Sequence, residues 1–355
     1  MLDDIRTAPA NRVAVVRGEG EEFGGEPLGL VLGPRRTAAS RGVKAGSLRW
    51  RRPKGASAAG RVQIGWYNAE MTSTTYALVT PSYWMDVERC QFLLETAERW
   101  VPSSVRHYLI IARQDLHLFR PMLTARTTLL VVEDIIPSWL IRVPGLRRFW
   151  VSLRTRPVKN WILQQIVKLS APAAISEDVL LYADSDMFFI AAFDPQSFQR
   201  DDAVPLFAER GQRGLIPSND RWQRVCAKLL GVPAESDFDI NYVGQLIWWR
   251  RQNALATVER VQEVAGKTWQ QAIAPLSGFS EYILYGLHSD KILARNSGHW
   301  HDPVVRTLCY WGTDPLSTSD LESFKAKRAP HHHSAMVSAK SGTPMSSIRA
   351  VFSSP

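Results

Sequence analysis

Short apolar runs that alternate with segments of helical periodicity constrain this chain more than any other feature. Four such runs are typical of strands buried on both faces of a sheet: 76–80, 107–112, 128–132 and 179–183. After the first run, apolar residues recur at spacings of three and four from Val87 to Val101, which predicts a helix with Asp86 at its N-cap. This alternation predicts an α/β fold, a single domain with a mixed central sheet flanked by helices.

The same patterns continue through the second half of the chain. They predict one further strand at 245–249 and four further helices, at 158–169, 221–230, 253–264 and 279–287.

The two ends of the chain differ from this middle part in composition and charge. Residues 1–70 are rich in Gly, Ala, Arg and Ser and predict a disordered or loosely ordered basic extension, and residues 323–355 predict a disordered basic tail. The folded domain is therefore predicted over residues 71–322. Residues 1–65 carry 12 Lys and Arg against 6 Asp and Glu, and residues 323–355 carry 5 against none. Because the net charge of +9 arises at the ends, the pattern argues against a nucleic-acid-binding domain and leaves only a weak attraction of the tails to acidic membrane surfaces.

Cysteine content and hydropathy predict a cytoplasmic protein. The three cysteines, Cys90, Cys226 and Cys309, are widely spaced and contain no CxxC pair, which favours reduced thiols. No uncharged apolar run reaches the roughly 18 to 20 residues that a membrane-spanning helix needs, so no transmembrane segment is expected. The first residues, Met-Leu-Asp-Asp-Ile-Arg, are acidic where a signal peptide is basic.

Two aspartates follow the apolar run 179–183 directly. Asp184 and Asp186 lie where strand alternation breaks into a turn, and carboxylate oxygens there suit Mn²⁺ or Mg²⁺. A cation between them and a diphosphate would absorb charge that develops on a leaving group. A structural turn is the alternative. A second D-x-D pair, Asp237 and Asp239, lies in a polar loop and is the weaker candidate.

Polar residues recur along one face of the helix predicted before these aspartates. Asn160, Gln164 and Lys168 are spaced by four, with Gln165 beside them. Two amides and a lysine suit hydrogen bonds to phosphate or sugar hydroxyls. A solvent-exposed stripe would show the same spacing.

The order of four motifs resembles a bacterial, mostly uncharacterised family of GT-A-type glycosyltransferases. These motifs are Tyr76-Ala-Leu-Val-Thr-Pro-Ser82, Trp161-Ile-Leu-Gln-Gln-Ile-Val-Lys-Leu169, Tyr182-Ala-Asp-Ser-Asp186 and Ser280-Glu-Tyr282. The resemblance covers roughly residues 73–312 and depends on the order of the motifs rather than on any one of them. It implies a nucleotide-sugar donor, UDP- or GDP-linked, and an acceptor such as a surface polysaccharide or a glycolipid.

The resemblance also implies roles for individual residues. Thr80, Pro81 and Ser82 would border the nucleoside, and Gln164, Gln165 and Lys168 would lie near the donor. Asp184 and Asp186 would hold the metal and the sugar phosphate. His301 would complete the metal shell, with His299 as the other candidate, although ordinary packing explains either histidine equally well.

Two further residues gain roles from this resemblance. Glu281 would take the proton of the acceptor hydroxyl, although an acidic residue at a helix N-terminus capped by Ser280 or Ser277 explains it equally well. Asn241 would shape the acceptor side.

Three other functions remain open at this point. A phosphatase of the haloacid dehalogenase type also places a D-x-D pair after a buried strand, but that strand is the first of its sheet, and here it is the fourth. A nucleotidyltransferase normally has a Gly-rich basic loop after its first strand, whereas this chain has Pro81-Ser-Tyr-Trp84. In a non-catalytic scaffold, the aspartates would only cap a turn.

Overall fold

The computed structural model divides the chain into two units, Met1–Ser73 and Thr74–Pro355. It describes residues 12–18, 62–68, 74–143, 149–233 and 239–353. In the first unit, strands β1 (Arg12–Gly18) and β2 (Val62–Asn68) pair antiparallel over their full length. The rest of the extension predicted for residues 1–70 lies outside the described residues, as does Asp237 of the second D-x-D pair.

The second unit contains all other described strands and helices. Its strands are β3 (Tyr76–Pro81), β4 (Arg106–Ile111), β5 (Thr127–Val131), β6 (Leu140–Ile141), β7 (Phe149–Ser152), β8 (Val158–Lys159), β9 (Val179–Tyr182), β10 (Met187–Phe189), β11 (Val204–Phe207), β12 (Ile247–Arg250), β13 (His299–Asp302), β14 (Thr307–Tyr310) and β15 (Ser334–Val337). Its α-helices are α1 (Val87–Trp100), α2 (Leu116–Phe119), α3 (Val132–Ile135), α4 (Asn160–Ala174), α5 (Pro217–Leu230), α6 (Arg251–Ala265), α7 (Trp269–Ile273), α8 (Glu281–Leu287), α9 (Thr318–Ala326) and α10 (Met345–Phe352).

A five-stranded mixed sheet forms the centre of this unit. Its strand order is β12-β9-β3-β4-β5, in which β12 pairs antiparallel with β9 and the other pairs are parallel. All six residues of β3 and all four of β9 are buried, as expected for strands covered on both faces. The predicted α/β class with a mixed central sheet flanked by helices is confirmed.

Alternate residues of the central strands enter different cores. Leu180 and Tyr182 of β9 pack in the larger core with residues of α4, α5, α6 and α8. Leu181 between them packs on the opposite face with residues of α1. The helices therefore cover both faces, and the ends of the strands form the edge that is open to a ligand.

All five strands and five helices predicted in this unit from sequence patterns are confirmed, with bounds shifted by a few residues. Helix α4 continues to Ala174, past the predicted end at Leu169 and through Pro172. The carbonyl of Pro172 accepts a hydrogen bond from Nε of Arg251, so contacts with α6 hold this last turn. Asp86 lies at the N-cap of α1 as predicted, but its side chain makes no capping hydrogen bond.

The predicted disordered tail over residues 323–355 is wrong, and so is the domain end at 322. The last turn of helix α9, strand β15 and helix α10 lie in this segment, and β15 lies between β10 and β14 with all four residues buried. The apolar part of β15 is only Ala335-Met336-Val337, which is too short to show a period, and burial against two neighbouring strands stabilises it. Two of the basic residues are bound within the fold: Arg349 pairs with Glu95, and Nζ of Lys325 donates to Val351 O.

Among the described residues, no helix is both long and apolar enough to cross a membrane.

Candidate active site

The loops that follow β3 and β9 bring most of the predicted site residues to one edge of the sheet. The two strands are parallel neighbours, with Val79 opposite Tyr182. Ser82 and Asp184 therefore both lie just beyond the carboxyl ends of adjacent strands. In α/β sheets this edge is where ligands commonly bind.

Lys168 on α4 is the centre of a buried polar cluster at this edge. Its Nζ lies 2.9 Å from Oδ1 of Asp184 and 3.1 Å from Oε1 of Glu281, and it donates a 2.8 Å hydrogen bond to the hydroxyl of Tyr282. Burial by itself lowers the pKa of Lys168, but the carboxylates of Asp184 and Glu281 and the hydroxyl of Tyr282 outweigh it and raise the pKa well above its usual value. Lys168 is therefore a fixed cation that joins one predicted metal ligand to the predicted base.

The two glutamines of α4 face different surroundings. Gln165 is buried, and its Oε1 accepts the backbone N–H of Glu281 at 3.1 Å, so it holds the start of α8 against α4. Gln164 is exposed on another face of the helix. The structure thus places Gln165 and Lys168 together with Asp184 and Glu281, and it does not bring Gln164 to them.

Asp186 points to the C-terminal segment that was predicted as a tail. Its Oδ2 accepts the backbone N–H of Ala339 at 3.0 Å. Burial, followed by the charge of Asp184, raises the pKa of Asp186 to about 6. Asp186 is therefore a buried carboxyl group that lies within the field of the Asp184 charge.

Asp86 adds a third carboxylate that sequence patterns suggested only as a helix cap. Its Oδ2 accepts a 2.9 Å hydrogen bond from Oγ of Ser185, the residue between the two aspartates. Burial raises the pKa of Asp86, and Asp184 adds to this effect while Ser185 and Arg89 oppose it. Asp86 therefore fixes the turn that carries Asp184 and Asp186, and it adds to the negative charge there.

Glu281 is largely buried, whereas a base that takes a proton from an acceptor must be reached by that acceptor. Its side chain is 7% exposed, whereas that of Asp184 is 26% exposed. Burial raises the pKa of Glu281, and Lys168 opposes this shift. The Ser280 side chain caps α8 by accepting the N–H of Ile283 at 3.4 Å. Asp184 is therefore the more accessible of the two carboxylates.

The segment after β3 is placed at the site edge, but not all of its side chains face a ligand. Thr80 is fully buried, and its hydroxyl lies 2.9 Å from Nε2 of His107, whose pKa is lowered to about 3 by burial. Pro81 is also buried, and the backbone N–H of Ser82 donates to Ile110 O. Of the three predicted residues, Ser82 alone is partly exposed.

Two exposed aromatic residues come directly after Ser82 and were not predicted as site residues. Tyr83 is 42% exposed and Trp84 is 36% exposed. Burial and then the charges of Asp86 and Asp186 raise the pKa of Tyr83, which places its hydroxyl within reach of their field. The sequence signal for these two residues was an aromatic pair in the predicted loop that follows the first strand.

Gln245 is the other residue that sequence patterns did not identify, since it was predicted only as the start of a strand. Its Nε2 lies 3.5 Å from Oδ2 of Asp184, and its buried Oε1 has no hydrogen-bond partner among the described residues. The next residue, Leu246, has a φ of 57°, a left-handed backbone conformation that is strained for any residue with a branched apolar side chain. A buried amide oxygen without a partner requires an explanation, and a bound ligand or an ordered water would supply one.

His301 and Asn241 lie in other surroundings. Nε2 of His301 on β13 lies 2.8 Å from Oδ1 of Asp290. Asn241 is buried and bonded to Asn219 and to Val243 N–H, so its amide does not face an acceptor. The other histidine candidate, His299, has its pKa lowered to about 4 by burial, and its Nε2 lies 2.6 Å from the Tyr285 hydroxyl.

Asp184 and Asp186 fit a cation that a phosphate would also coordinate, whereas the third predicted ligand, His301, lies beside Asp290. Oδ2 of Asp184 has only the long contact with Gln245, and no described residue donates a hydrogen bond to Oδ1 of Asp186. Each carboxylate therefore retains one oxygen for a ligand. Mg²⁺ commonly takes one or two carboxylates and completes its shell with substrate phosphates and water. Within the described residues, no three His, Cys, Asp or Glu side chains are grouped to hold a metal, and His301 lies against Asp290 and Arg210.

Comparison with known proteins identifies a family but no activity. Residues 76–345 match the model of DUF6492, described as a family of unknown function. The match includes the central sheet, every predicted site residue, and strand β15 in the C-terminal segment. No curated protein matches the chain significantly.

Proposed function

This chain belongs to DUF6492, a family of unknown function, and from its site we propose that it is a glycosyltransferase that moves a sugar from a nucleotide-sugar to an acceptor with the help of a divalent metal. One observation carries the proposal. Two carboxylates, Asp184 and Asp186, lie beyond the carboxyl end of a central strand, each only partly exposed, and burial together with the charge of Asp184 raises the pKa of Asp186 to about 6. Lys168 offsets charge at Asp184 but makes no ion pair with Asp186, so a divalent cation bound between the two carboxylates would stabilise the pair further.

Asp184 and Asp186 would hold Mn²⁺ or Mg²⁺, which when bound would neutralise charge that develops on the diphosphate as the sugar leaves. Lys168 holds Asp184 in one orientation through their 2.9 Å contact. Gln165 fixes α8 and so keeps Glu281 on the other side of Lys168. These residues preorganise the site before the donor binds.

Gln245 and the aromatic loop would recognise the donor. The free Oε1 of Gln245 would accept a hydrogen bond from a sugar hydroxyl, because a buried acceptor without a partner gains most from one. Tyr83 and Trp84, exposed beside the carboxylates, would stack on the nucleoside, which we propose is UDP- or GDP-linked.

We assign Glu281 a positioning role instead of the predicted role as general base. Its carboxylate is 7% exposed and lies 3.1 Å from Lys168, so it acts on Asp184 through the lysine. The variant Glu281→Gln is then expected to change the pH dependence of donor binding and to raise KM more than it lowers kcat. A base that takes the acceptor proton would show mainly a loss in kcat.

A cytoplasmic location remains part of the proposal. Cys90, Cys226 and Cys309 are free thiols, and the first two are buried, which is typical of a reducing compartment. The acceptor is proposed as a surface polysaccharide or a glycolipid.

Metal-dependent binding of the nucleotide tests this function. We expect Mn²⁺ together with UDP or GDP to raise the melting temperature of the protein, because a ligand at 100 times its Kd adds about 2.7 kcal/mol to the free energy of unfolding. EDTA should abolish the shift. Asp184→Asn should also abolish it, while Asp201→Asn, which alters an exposed carboxylate in the turn before β11, should leave it unchanged.

A melting temperature that does not respond to any nucleotide diphosphate with Mn²⁺ or Mg²⁺ would favour the non-catalytic scaffold. Release of phosphate from an aryl phosphate would favour the phosphatase, and release of pyrophosphate from a nucleoside triphosphate would favour the nucleotidyltransferase. The proposed function predicts neither release.

A further inference from the structure

A cleft of about 750 Å³ lies around His301. We call it the His301 cleft and define it by Arg210, Asp290, Lys291, Arg295 and His301, which line it together with other residues. Its volume is in the range that small-molecule sites occupy. Asp184 and Asp186 are not among its lining residues.

The two acidic residues of the His301 cleft are already satisfied by the protein. Asp290 accepts a 2.5 Å hydrogen bond from the Tyr242 hydroxyl at Oδ2, and its Oδ1 lies 2.8 Å from Nε2 of His301. Asp239 accepts the backbone N–H groups of Gly211 and Arg213. Both carboxylates therefore serve to hold the walls of the cleft.

Unlike the acidic residues, which the protein already engages, the basic residues of the cleft have no partner of opposite charge among the described residues. Arg210, Lys291 and Arg295 are exposed, and no carboxylate of a described residue lies within ion-pair distance of any of them. One guanidinium nitrogen of Arg210 lies 3.5 Å from Nδ1 of His301. Three cations around one concave surface, beside acids that are already engaged, favour an anion with more than one charge.

The part of the cleft lined by residues 290–295 has an unusual backbone conformation. Residues His288–Leu293 form a π-helix, a rare element that is frequent at functional sites. Ala294, which follows it, has a φ of 47°, and this strained turn separates Lys291 from Arg295. Strain of this kind persists where the surrounding structure holds it and where function uses the resulting geometry.

A short segment connects the cleft with the candidate active site. Asp239 and Ile240 line the cleft, and Gln245, five residues after Ile240, contacts Asp184. The cleft and the candidate active site therefore share this segment, while the cleft lining contains neither Asp184 nor Asp186.

We propose that the His301 cleft binds a phosphate-bearing small molecule through Arg210, Lys291 and Arg295, with His301 held in place by Asp290. Phosphate suits the cleft better than a single carboxylate because it carries up to two negative charges and accepts paired hydrogen bonds from guanidinium groups. This proposal does not depend on the proposed transferase activity.

Calorimetric titration of the full-length protein with inorganic phosphate in EDTA tests the proposal. The wild-type protein should bind phosphate saturably, and Arg210→Ala combined with Arg295→Ala should weaken binding at least tenfold. A charge-matched control, Arg221→Ala with Arg224→Ala on the exposed face of α5, should bind as the wild type does. Asp184→Asn should also bind normally, which separates this site from the active site.

Three outcomes would overturn the proposal: no saturable binding to the wild type, equal binding by the Arg210/Arg295 double variant, or equally tight binding of succinate. Circular dichroism and melting temperature show whether the double variant is folded. If it is not, the variant with Lys at both positions replaces it, and this variant should keep the fold and still bind at least threefold more weakly, because lysine lacks the paired donors of arginine.

Discussion

At the scale of single residues, Asp186 lowers the stability of the fold at neutral pH. Its pKa in the folded protein, about 6, is above the ordinary value of 3.8. A raised carboxyl pKa contributes stability below the unfolded pKa, and this contribution is lost as pH rises through the folded pKa. The origin is burial together with the charge of Asp184, so removing the charge of Asp186 should stabilise the protein without metal.

Asp186→Asn is therefore expected to raise the free energy of unfolding at pH 7.5 in EDTA by up to about 3 kcal/mol, since one pKa unit corresponds to about 1.4 kcal/mol. The asparagine can still accept the N–H of Ala339. The gain should disappear below about pH 4. Denaturant melts of both proteins from pH 4 to 8 measure it, with Asp201→Asn as control, and a gain that does not vary with pH would contradict the assignment.

Lys168, unlike Asp186, stabilises the fold, because its charge compensates the carboxylates of Asp184 and Glu281. Lys168→Met leaves Asp184 and Glu281 without a cation, and the loss of one partner from a buried ion pair costs about 3–5 kcal/mol. The pKa of Glu281 is raised by burial even with the lysine present, so without it the penalty should be largest at high pH and smaller near pH 5. Lys159→Met, at an exposed position of β8, should change stability by less than about 0.5 kcal/mol.

Urea melts at pH 5 and pH 8 measure both lysine variants. An equal loss of stability for Lys168→Met at the two pH values would show that lost packing, rather than unpaired charge, is responsible.

The candidate site was predictable from sequence where a residue type and its neighbours both signalled it. Asp184 and Asp186 follow a clear strand, and Lys168 lies on a clear helix. Gln245 carried no such signal. Its position beside Asp184 depends on the unusual backbone of Leu246 and on the antiparallel pairing of β12 with β9, and neither can be seen in the sequence. Thr80 and Asn241 have suitable chemistry, but their side chains are used by His107 and Asn219.

At the scale of elements, Gly286 lets α8 approach the segment that supports the His301 cleft. A Cβ at this position would lie 2.3 Å from the ring of Tyr242, whose hydroxyl holds Asp290. Gly286→Ala should thus destabilise the protein, although alanine is about 1 kcal/mol more favourable than glycine inside a helix. Overpacking of this kind typically costs about 1–3 kcal/mol.

Gly266→Ala provides a contrasting case for this prediction. Gly266 has a φ of 62° and open space around its Cβ position, so the cost there comes from the backbone alone and should not alter phosphate binding. Thermal melts and phosphate titrations of both variants distinguish the two effects. Unchanged melting temperature and phosphate affinity in Gly286→Ala would contradict the close packing of Tyr242 on α8.

Strands and helices with a sustained pattern of apolar residues were predictable from the sequence, and those stabilised mainly by tertiary contacts were not. Strands β3, β4, β5 and β9 and the long helices follow from their own apolar patterns. Strand β15 has four residues and depends on pairing with β10 and β14. Helix α9 begins with a capping box between Ser317 and Asp320, a local signal that the basic residues after it obscured.

At the scale of the whole molecule, the C-terminal segment is part of the folded unit and of the site. It supplies β15 to a three-stranded sheet and the N–H of Ala339 to Asp186. A chain that ends at residue 322 should therefore lose cooperative unfolding and soluble expression. A chain that ends at Ser353 is the matched control and should melt as the wild type does. A stable, soluble truncation at 322 would restore the prediction of a disordered tail.

The central claim is that Asp184 and Asp186 hold a cation and the diphosphate of a nucleotide-sugar. The most direct measurement is the Mn²⁺-dependent release of nucleoside diphosphate from a panel of UDP- and GDP-sugars by the full-length protein. We predict release from at least one donor, at least a 100-fold loss in Asp184→Asn and in Asp186→Asn, and no change in Asp201→Asn. Release at the wild-type rate by both site variants, or from no donor by the wild type, would contradict the claim.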